Sequence, residues 1–521
     1  MKQSECERQG VSRRFLERGF TTPAANAWPL ISGNPTFCSC LNSINLGRAG
    51  LASALFLTFL LPITFMLLLL EEATLGDDTV TSPNPEMHKP SIVGCMTTAC
   101  HGSNLPDAKT WQRAGKIWFD LDPHAHAYTS LLTEASERIV SKLVGEEWKA
   151  SSQGYRDFLN AKCVSCHANE NAPETQRVLG ADCQVCHGSA DAWGSQHYSS
   201  EWKALGRNRF DDTQMSNVES FLSRAKICSS CHIGELNRTN GSSVGLDREV
   251  DHRMMAAGHP PMHFDFEVYS RRYPVHWDTT EETIGLGSAI GFERWRTGKI
   301  TAAITKLNQL AARADRSTGQ SANTNDWPEL TEYSCTSCHH SLKQPSWRPA
   351  RGAKAIADWD DWCISQLDCA IREPSVGELD SQFRLLKSQM EKIAPEPRIV
   401  MLTAKSLCRM LEMELDHASA PIENGADVML RKLKSRVENV TGIRNWESAT
   451  QWYIATRVLC EGLGIECIQL PVPFVKEDPF SGSEKTWKRS SSKDFKSPTL
   501  FHPDMLTDYH RALMQQLRAR P

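Results

Sequence analysis

Five short motifs, each with two cysteines and a histidine directly after the second, run through the first two-thirds of the chain. Four have the form C-x-x-C-H and the first is stretched to C-x-x-x-x-C-H. This order suits covalent attachment of haem, because two thiols can form thioethers with the vinyl groups while the adjacent His becomes an axial ligand of the iron. In chain order they are motif 1 (Cys95, Cys100, His101), motif 2 (Cys163, Cys166, His167), motif 3 (Cys183, Cys186, His187), motif 4 (Cys228, Cys231, His232) and motif 5 (Cys335, Cys338, His339).

Chance does not explain this repetition. With 18 Cys and 17 His in 521 residues, random placement gives roughly 0.02 copies of C-x-x-C-H, and four are present. The alternative is structural zinc, whose ligands more often come as paired C-x-x-C knuckles without an obligatory His. We therefore predict five covalently bound haems c.

The remaining histidines decide the chemistry at each iron. A second His makes the iron six-coordinate and suits electron transfer, whereas a missing one leaves a position for a small molecule. Because the spacing between them is seven residues, His252 and His259 could serve two different haems from one segment. The predicted second ligands are His124, His197, His252 and His259, and the weaker candidates for a fifth are His126, His263 and His340, with His276 weaker still.

One helix that would position a ligand can be predicted. Asp122 is a suitable N-cap and Pro123 suits the first helical position, so His124 would lie in the first turn. The following apolar residues recur every four positions on one face: Leu131, Ala135, Ile139 and Leu143.

The fold class we expect is mainly α, with little regular sheet and with the haems forming much of the core. Residues 91–342 would form the pentahaem domain, and residues 343–521 a C-terminal helical region of unknown role. Cysteines at 363, 369, 408, 460 and 467 are interpreted as buried thiols, with disulfides as the alternative. Two apolar helical stripes support the prediction of a helical C-terminal region: Phe383, Leu386, Met390 and Ile393, then Val400, Ala404, Leu407, Leu411 and Leu415.

Residues 49–70 form a 22-residue stretch without charge, about 33 Å long as a helix and sufficient to cross a bilayer core. Basic residues precede it and acidic residues follow, which predicts a cytoplasmic extension at 1–48, a transmembrane anchor at 49–70 and a linker at 71–90. A cleaved signal segment is the alternative. Either reading makes the haem domain extracytoplasmic or periplasmic. The net charge of −4 indicates no nucleic-acid partner.

Residues 91–342 resemble the multihaem cytochrome c-554 type, the tetrahaem carriers of ammonia-oxidising bacteria and their relatives. The resemblance rests on the closely spaced motifs 2 and 3 and on these segments: Asp122-Pro123-His124, Gly180-Ala181-Asp182, Trp193 with His197, and Ala257-Gly258-His259-Pro260. It implies closely packed haems, mostly with two His ligands. It also implies that the second ligands are His124, His197, His252 and His259. This chain differs in having five motifs, a stretched first motif, a membrane segment and a helical tail.

We expect an electron carrier that exchanges electrons with donor and acceptor proteins and is anchored in the membrane through residues 49–70, with no separate catalytic residue. The helical tail would serve docking or scaffolding. The first alternative is an oxidoreductase that acts on a small nitrogen or sulfur compound, such as nitrite, nitric oxide or hydroxylamine, at one five-coordinate haem. The second is a structural subunit of a larger membrane complex.

Overall fold

The computed structural model describes residues 92–237, 239–240, 243–244, 246–278, 287–318, 327–339, 357–359, 362–371, 376–417, 425–438, 446–466, 511, 513 and 515, all within one structural unit. The predicted extension (1–48), membrane or signal segment (49–70) and linker (71–90) lie outside these residues. In the described ranges, no helix is both long and apolar enough to cross a membrane.

The described residues are mainly helical, as predicted. Strands β1 (Thr239–Asn240) and β2 (Ser243–Val244) form a small antiparallel pair. The α-helices are α1 (Ile92–Cys95), α2 (Ala114–Leu121), α3 (Ala127–Ser130), α4 (Glu134–Val144), α5 (Gln153–Lys162), α6 (Val164–His167), α7 (Cys183–His187), α8 (Ser200–Ala204), α9 (Arg209–Asp212), α10 (Phe221–His232), α11 (His252–Ala257), α12 (Phe266–Arg272), α13 (Ile290–Thr318), α14 (Cys335–Cys338), α15 (Leu367–Ala370), α16 (Val376–Met390), α17 (Pro397–His417), α18 (Gly425–Glu438) and α19 (Trp446–Gly462). Short 3-10 helices span Thr110–Arg113, Pro123–His126, Glu174–Leu179, Gly206–Asn208, Gly287–Ala289 and Leu330–Glu332.

Asp122 begins a helical segment, as predicted, but this segment is broken into three pieces. The Asp122 carboxylate accepts a hydrogen bond from the His124 backbone N at 3.0 Å, and Pro123 opens a 3-10 turn that leads into α3. The Thr133 hydroxyl then accepts from the Ser136 backbone N and starts α4 separately. The expected single helix is therefore wrong, because Thr133 provides a second N-cap.

The 29-residue helix α13 connects the motif-bearing region to the C-terminal helices. It packs against α10 and α12 on the motif side and against α15, α17 and α19 on the other. Its apolar residues share one buried core with helices from both sides of residue 342. Removal of this apolar surface from water is the main stabilisation of this half of the protein.

The predicted stripe on α17 is buried from Val400 to Leu415, which confirms the helical periodicity. The stripe on α16 is only partly correct. Leu386 and Met390 are fully buried, but Ile393 is fully exposed. Helix α16 ends at Met390, so Ile393 no longer follows its periodicity.

Buried ion pairs connect the segment before motif 5, which includes Glu332, to α13. Arg313 forms an ion pair with the buried Glu332 and another with Glu249 at 2.9 Å, while Lys306 lies 3.4 Å from Glu332. The Arg313 guanidinium also donates to the Thr331 hydroxyl at 3.1 Å. These bonds fix the position of motif 5 relative to the long helix, since breaking one would leave a buried charge uncompensated.

The C-terminal cysteines within the described residues are buried thiols, as interpreted from the sequence. Among them, Cys408 lies on α17 with its sulfur 3.6 Å from the Ile304 carbonyl oxygen. Cys467 lies outside the described residues. The group comprises Cys363, Cys369, Cys408 and Cys460.

Candidate haem sites

In motifs 2 to 5 the two cysteines and the histidine lie on, or directly beside, a single helical turn. The turns are α6, α7, the C-terminal end of α10, and α14. Residues three or four apart share a helix face, so both sulfurs and the imidazole reach the same side. Motif 1 instead forms a turn after α1. There the His101 backbone N donates to the Cys95 carbonyl at 3.0 Å and that of Gly102 to the Thr97 carbonyl at 2.9 Å, which accommodates the two extra residues.

Residues 180–182, directly before motif 3, position both that motif and His124. Asp182 accepts from the Gln184 backbone N at 2.9 Å and caps α7. Gly180 has φ +71°, and a Cβ there would lie 2.1 Å from the His124 carbonyl oxygen. Only glycine permits this close approach. The Ala181 backbone N then donates to the same carbonyl at 3.0 Å.

A continuous cavity of about 2440 Å³ lies between motifs 1 to 4. All their cysteines and histidines line it, together with the apolar stripe of Leu131, Ala135, Ile139 and Leu143. Its volume exceeds the roughly 300–1,000 Å³ of a site for one small molecule. The buried Trp193 Nε1 on its wall has no hydrogen-bond partner among the described residues, and Arg224 and Arg272 also line the wall. An apolar cavity with such donors fits several haems, whose carboxylates need partners.

Each motif histidine lies beside a second histidine. The distances between ring centres are 6.2 Å for His101–His197, 6.4 Å for His167–His259, 6.4 Å for His187–His276, 5.9 Å for His232–His124 and 6.4 Å for His339–His252. Two imidazoles that bind one metal from opposite sides, with bonds of about 2 Å each, have ring centres about 6 Å apart. Each pair therefore has the separation that shared ligation of one metal ion requires.

The four second histidines predicted from sequence each lie beside a different motif. His252 begins α11 and lies beside motif 5, and His259 lies two residues after the end of α11, beside motif 2. His126 is exposed and contacts Phe119. His263 stacks on Trp362 at 4.5 Å. His340 lies outside the described residues.

The histidine that sequence reasoning missed is His276, which lies beside His187 of motif 3 and was ranked lowest. It stands between Tyr273 and Trp277, whose rings lie 5.8 and 5.0 Å from its own. An aromatic-flanked histidine soon after a haem-lining segment was the signal that could have identified it. The four predicted second histidines also left one of the five motifs without a partner.

The orientation of these rings follows from bonds at Nδ1. On the motif side, Nδ1 of His101 donates to the Trp111 carbonyl at 2.8 Å and that of His167 to the Ala127 carbonyl at 3.1 Å. A donor Nδ1 leaves the Nε2 lone pair available for a metal. Four second histidines have the same type of bond: His124 to the Asp122 carboxylate, His197 to Gly194 O, His259 to Pro260 O and His276 to Pro274 O.

Burial lowers the pKa of five of these imidazoles and so favours the neutral form that binds metals: His167, His187, His232, His259 and His276. Desolvation, together with the positive charges of neighbouring histidines, lowers the pKa of His187 and of His232 to about 4. His124 differs. Burial would lower its pKa, but the hydrogen bond and charge of Asp122 outweigh burial and raise that pKa. A carboxylate on Nδ1 makes an imidazole a more basic ligand.

Contacts between motifs define their order in space. Cys183 of motif 3 packs on a cluster that includes Met96 of motif 1. The charges of Cys228 and Cys231, after burial, raise the pKa of Cys186, so motif 4 adjoins motif 3. Arg248 bridges motifs 4 and 2, donating to the Ser230 hydroxyl at 2.6 Å and the Ser165 carbonyl at 2.8 Å. Helix α11 links motif 2 to motif 5. The order is therefore 1–3–4–2–5.

Motif 5 lies apart from the shared cavity and contacts the C-terminal helices. Ligand atoms of His263, Cys335 and Glu447 lie within 4.8 Å of one another. The Ser334 hydroxyl donates to the buried Glu447 carboxylate at 2.9 Å. A thioether at Cys335 would use the sulfur of this trio, so the arrangement is read as the surroundings of an attachment site and not as a separate metal site.

Residues 157–241 match the family model of cytochrome c3. Motifs 2, 3 and 4 lie inside this segment. No curated protein and no solved structure matches the chain. The match supports a multihaem cytochrome c with covalently bound haem c and an extracytoplasmic location, and it does not single out the cytochrome c-554 type.

Proposed function

We propose that this protein transfers electrons through five covalently bound haems c, each of which would be held by two histidines. The proposed ligand pairs are His101–His197, His167–His259, His187–His276, His232–His124 and His339–His252. The observation that carries this proposal is that all five ring-centre separations fall between 5.9 and 6.4 Å.

When bound, the haems supply one-electron redox chemistry. The chain's own residues orient the imidazoles through Nδ1, enclose the cavity with apolar side chains and provide buried donors such as Trp193 Nε1. The continuous sequence of attachment sites, from motif 1 to motif 5, suits stepwise passage of electrons across the molecule. No acid, base or nucleophile is required.

The oxidoreductase alternative rested on one motif without a second histidine. The neighbourhood of His276 and His187 favours the carrier, because the proposed ligation then leaves no iron with an open position. Nitrite, nitric oxide or hydroxylamine would need such a position.

We further propose an extracytoplasmic protein, periplasmic or its equivalent, that is related to the cytochrome c-554 carriers and anchored through residues 49–70. Its partners would be donor and acceptor redox proteins. The support is the uncharged 22-residue stretch, the charge asymmetry around it and the motif pattern of residues 91–342.

Electron paramagnetic resonance of the purified ferric protein tests this proposal, with haem quantified on the same sample. We expect five haems per chain, all low-spin, and no binding of cyanide or nitric oxide. His276→Ala should convert about one haem in five to a high-spin form that binds cyanide, because one iron loses a ligand. His126→Ala, at an exposed histidine, is the matched control and should leave all haems low-spin. A high-spin signal from one haem of the unaltered protein would refute the carrier and favour the oxidoreductase.

A further inference from the structure

We propose that Arg248 is the positioning residue for electron passage between motifs 4 and 2, because it holds the second attachment cysteine of one motif against that of the other. This inference rests on the proposed electron-transfer function and adds a residue that sets the geometry between two of its sites.

The Arg248 guanidinium binds equivalent places in the two motifs. Its Nε donates to the Ser165 carbonyl at 2.8 Å, and its Nη1 donates to the Ser230 hydroxyl at 2.6 Å. Each serine directly precedes the second cysteine of its motif, Cys166 in motif 2 and Cys231 in motif 4. Both donors belong to one planar group, so a single rigid fork sets the separation of the two motifs.

The two cysteines beside this fork contact each other. A hydrogen bond joins their thiols, and it raises the pKa of Cys166 while it lowers the pKa of Cys231. The positive charge of Arg248 acts to lower the pKa of both thiols, so its field reaches both attachment points. Because each sulfur would be bonded directly to the edge of its haem, the edges of the two proposed haems would meet at this contact.

The backbone and the side chain of Arg248 are both held in place. Arg248 forms an antiparallel bridge with Glu235, shortly after motif 4, with N···O distances of 2.8 and 2.9 Å. Gly234 has φ +119°, and a Cβ there would lie 2.5 Å from the Arg248 carbonyl oxygen, so glycine permits this approach. The Arg248 side chain is only 12% exposed, and the Glu170 carboxylate lies 3.8 Å from it. A guanidinium with these charge-assisted bonds is fixed in orientation.

The Arg248 bridge lies outside the cavity assigned to the haems. Cys166 and Cys231 line that cavity, whereas Arg248, Ser165 and Ser230 do not. Haems that fill the cavity therefore leave these hydrogen bonds in place. In the order 1–3–4–2–5 the contact between motifs 4 and 2 is an internal crossing, so every electron that travels the whole order must pass it.

The test compares variants of the full-length ferric holoprotein by electron paramagnetic resonance, which detects magnetic interaction between neighbouring low-spin haems, and by spectroelectrochemical titration. Arg248→Gln removes the charge and the fork. Arg248→Lys keeps the charge but has one nitrogen, which cannot bridge both motifs, and Ser230→Ala removes only the motif 4 contact. The matched control is Arg316→Gln, because Arg316 holds the same segment through Asp247 and Asn237, each at 2.7 Å, instead of through a motif.

In the unaltered protein we expect the haems of motifs 4 and 2 to give an interacting pair of low-spin signals. Arg248→Gln should at least halve this interaction. It should also lower two of the five potentials by about 30–60 mV each, a threefold to tenfold change in equilibrium constant for a one-electron couple. Arg248→Lys and Ser230→Ala should weaken the interaction while the potentials stay close to their original values. Arg316→Gln should change neither.

Lower potentials with an unchanged interaction would show that Arg248 acts only through its charge and would overturn the positioning role. The same loss of interaction in Arg316→Gln would also overturn it, since the whole segment would then be responsible. If Arg248→Gln fails to load haem, Arg248→Lys and Ser230→Ala decide the question, and an unchanged interaction in both would overturn the role.

The unaltered protein separates failure of this inference from failure of the proposed function. Five low-spin haems without any interacting pair would overturn the positioning role and leave the proposed function standing. Fewer than five haems, or one high-spin haem, would refute the proposed function itself.

Discussion

Replacing Glu447 by Gln should raise the reduction potential of one of the five proposed haems. The carboxylate is buried, accepts a hydrogen bond from Ser334, the residue before Cys335, and lies within 4.8 Å of the Cys335 sulfur. Burial, and then the negative charge of Glu447, raises the pKa of Cys335 to about 11. The same charge disfavours reduction of an iron bound at motif 5, since reduction adds an electron.

The magnitude follows from Coulomb's law. For a charge separation of about 8–10 Å and an effective dielectric constant of about 20, the interaction would be roughly 2 kcal/mol. For a one-electron couple this corresponds to an increase of about 60–90 mV. Glutamine keeps an oxygen that accepts from Ser334, so the substitution removes charge while it retains the hydrogen bond.

The assay is a spectroelectrochemical titration of the holoprotein, resolved into five one-electron components. Glu447→Asp retains the charge and should leave all five potentials close to their original values. Glu412→Gln removes the same charge from the exposed face of α17 and should shift no component by more than about 10 mV, because solvent screens it. Five unchanged potentials in Glu447→Gln, or a downward shift, would refute the electrostatic reasoning.

Two further predictions concern stability. Leu411→Ala should lower the free energy of unfolding by about 2–5 kcal/mol, because Leu411 is fully buried on α17. Ile393→Ala is its exposed control and should change that energy by less than about 0.5 kcal/mol in urea denaturation. Asp265→Asn addresses pH. Burial raises the pKa of Asp265 from 3.8 to about 6, so its folded form loses stability as pH rises from about 4 to about 6. The variant cannot titrate at this position, so between pH 4 and 6 its free energy of unfolding should rise by about 2–3 kcal/mol relative to that of the unaltered protein. The Asn side chain still caps α12 by accepting from the Val268 backbone N.

Each stability prediction has a result that would contradict it. Equal effects of the Leu411 and Ile393 substitutions would mean that α17 does not pack in the core. For Asp265, the difference between the two pH curves isolates this carboxyl group from buried histidines such as His263, whose pKa burial lowers to about 4. A difference that stays constant from pH 4 to 7 would show that Asp265 does not titrate abnormally.

Structural features could be predicted from the sequence where residues close together in the chain determine them. The Asp122 cap and Pro123 start a helical turn as expected, because both act on neighbouring backbone groups. The α17 stripe is buried as expected, because regular periodicity persists through 21 residues. The extension of the α16 stripe to Ile393 failed, because the helix ends three residues earlier.

The pairing of motif histidines with second histidines could not be predicted from local sequence. His187 and His276 are far apart along the chain, and a single histidine has no local signature that distinguishes a metal ligand from a surface residue. The favourable contexts of His124, His197, His252 and His259 singled them out. The sequence did not show which motif each of these four histidines would pair with. The fold places the ring centre of each within 6.4 Å of that of a motif histidine.

The sequence by itself determined the attachment chemistry, because two thiols and an imidazole on one helical turn contain everything that a covalent haem site needs. It also determined the mainly α class through apolar periodicity. Only the tertiary structure decided which second histidine faces which motif, that His276 lies beside motif 3, and that motif 5 lies against the C-terminal helices. These depend on contacts between residues distant in sequence, which form when helices such as α11 and α13 pack and no short pattern encodes them.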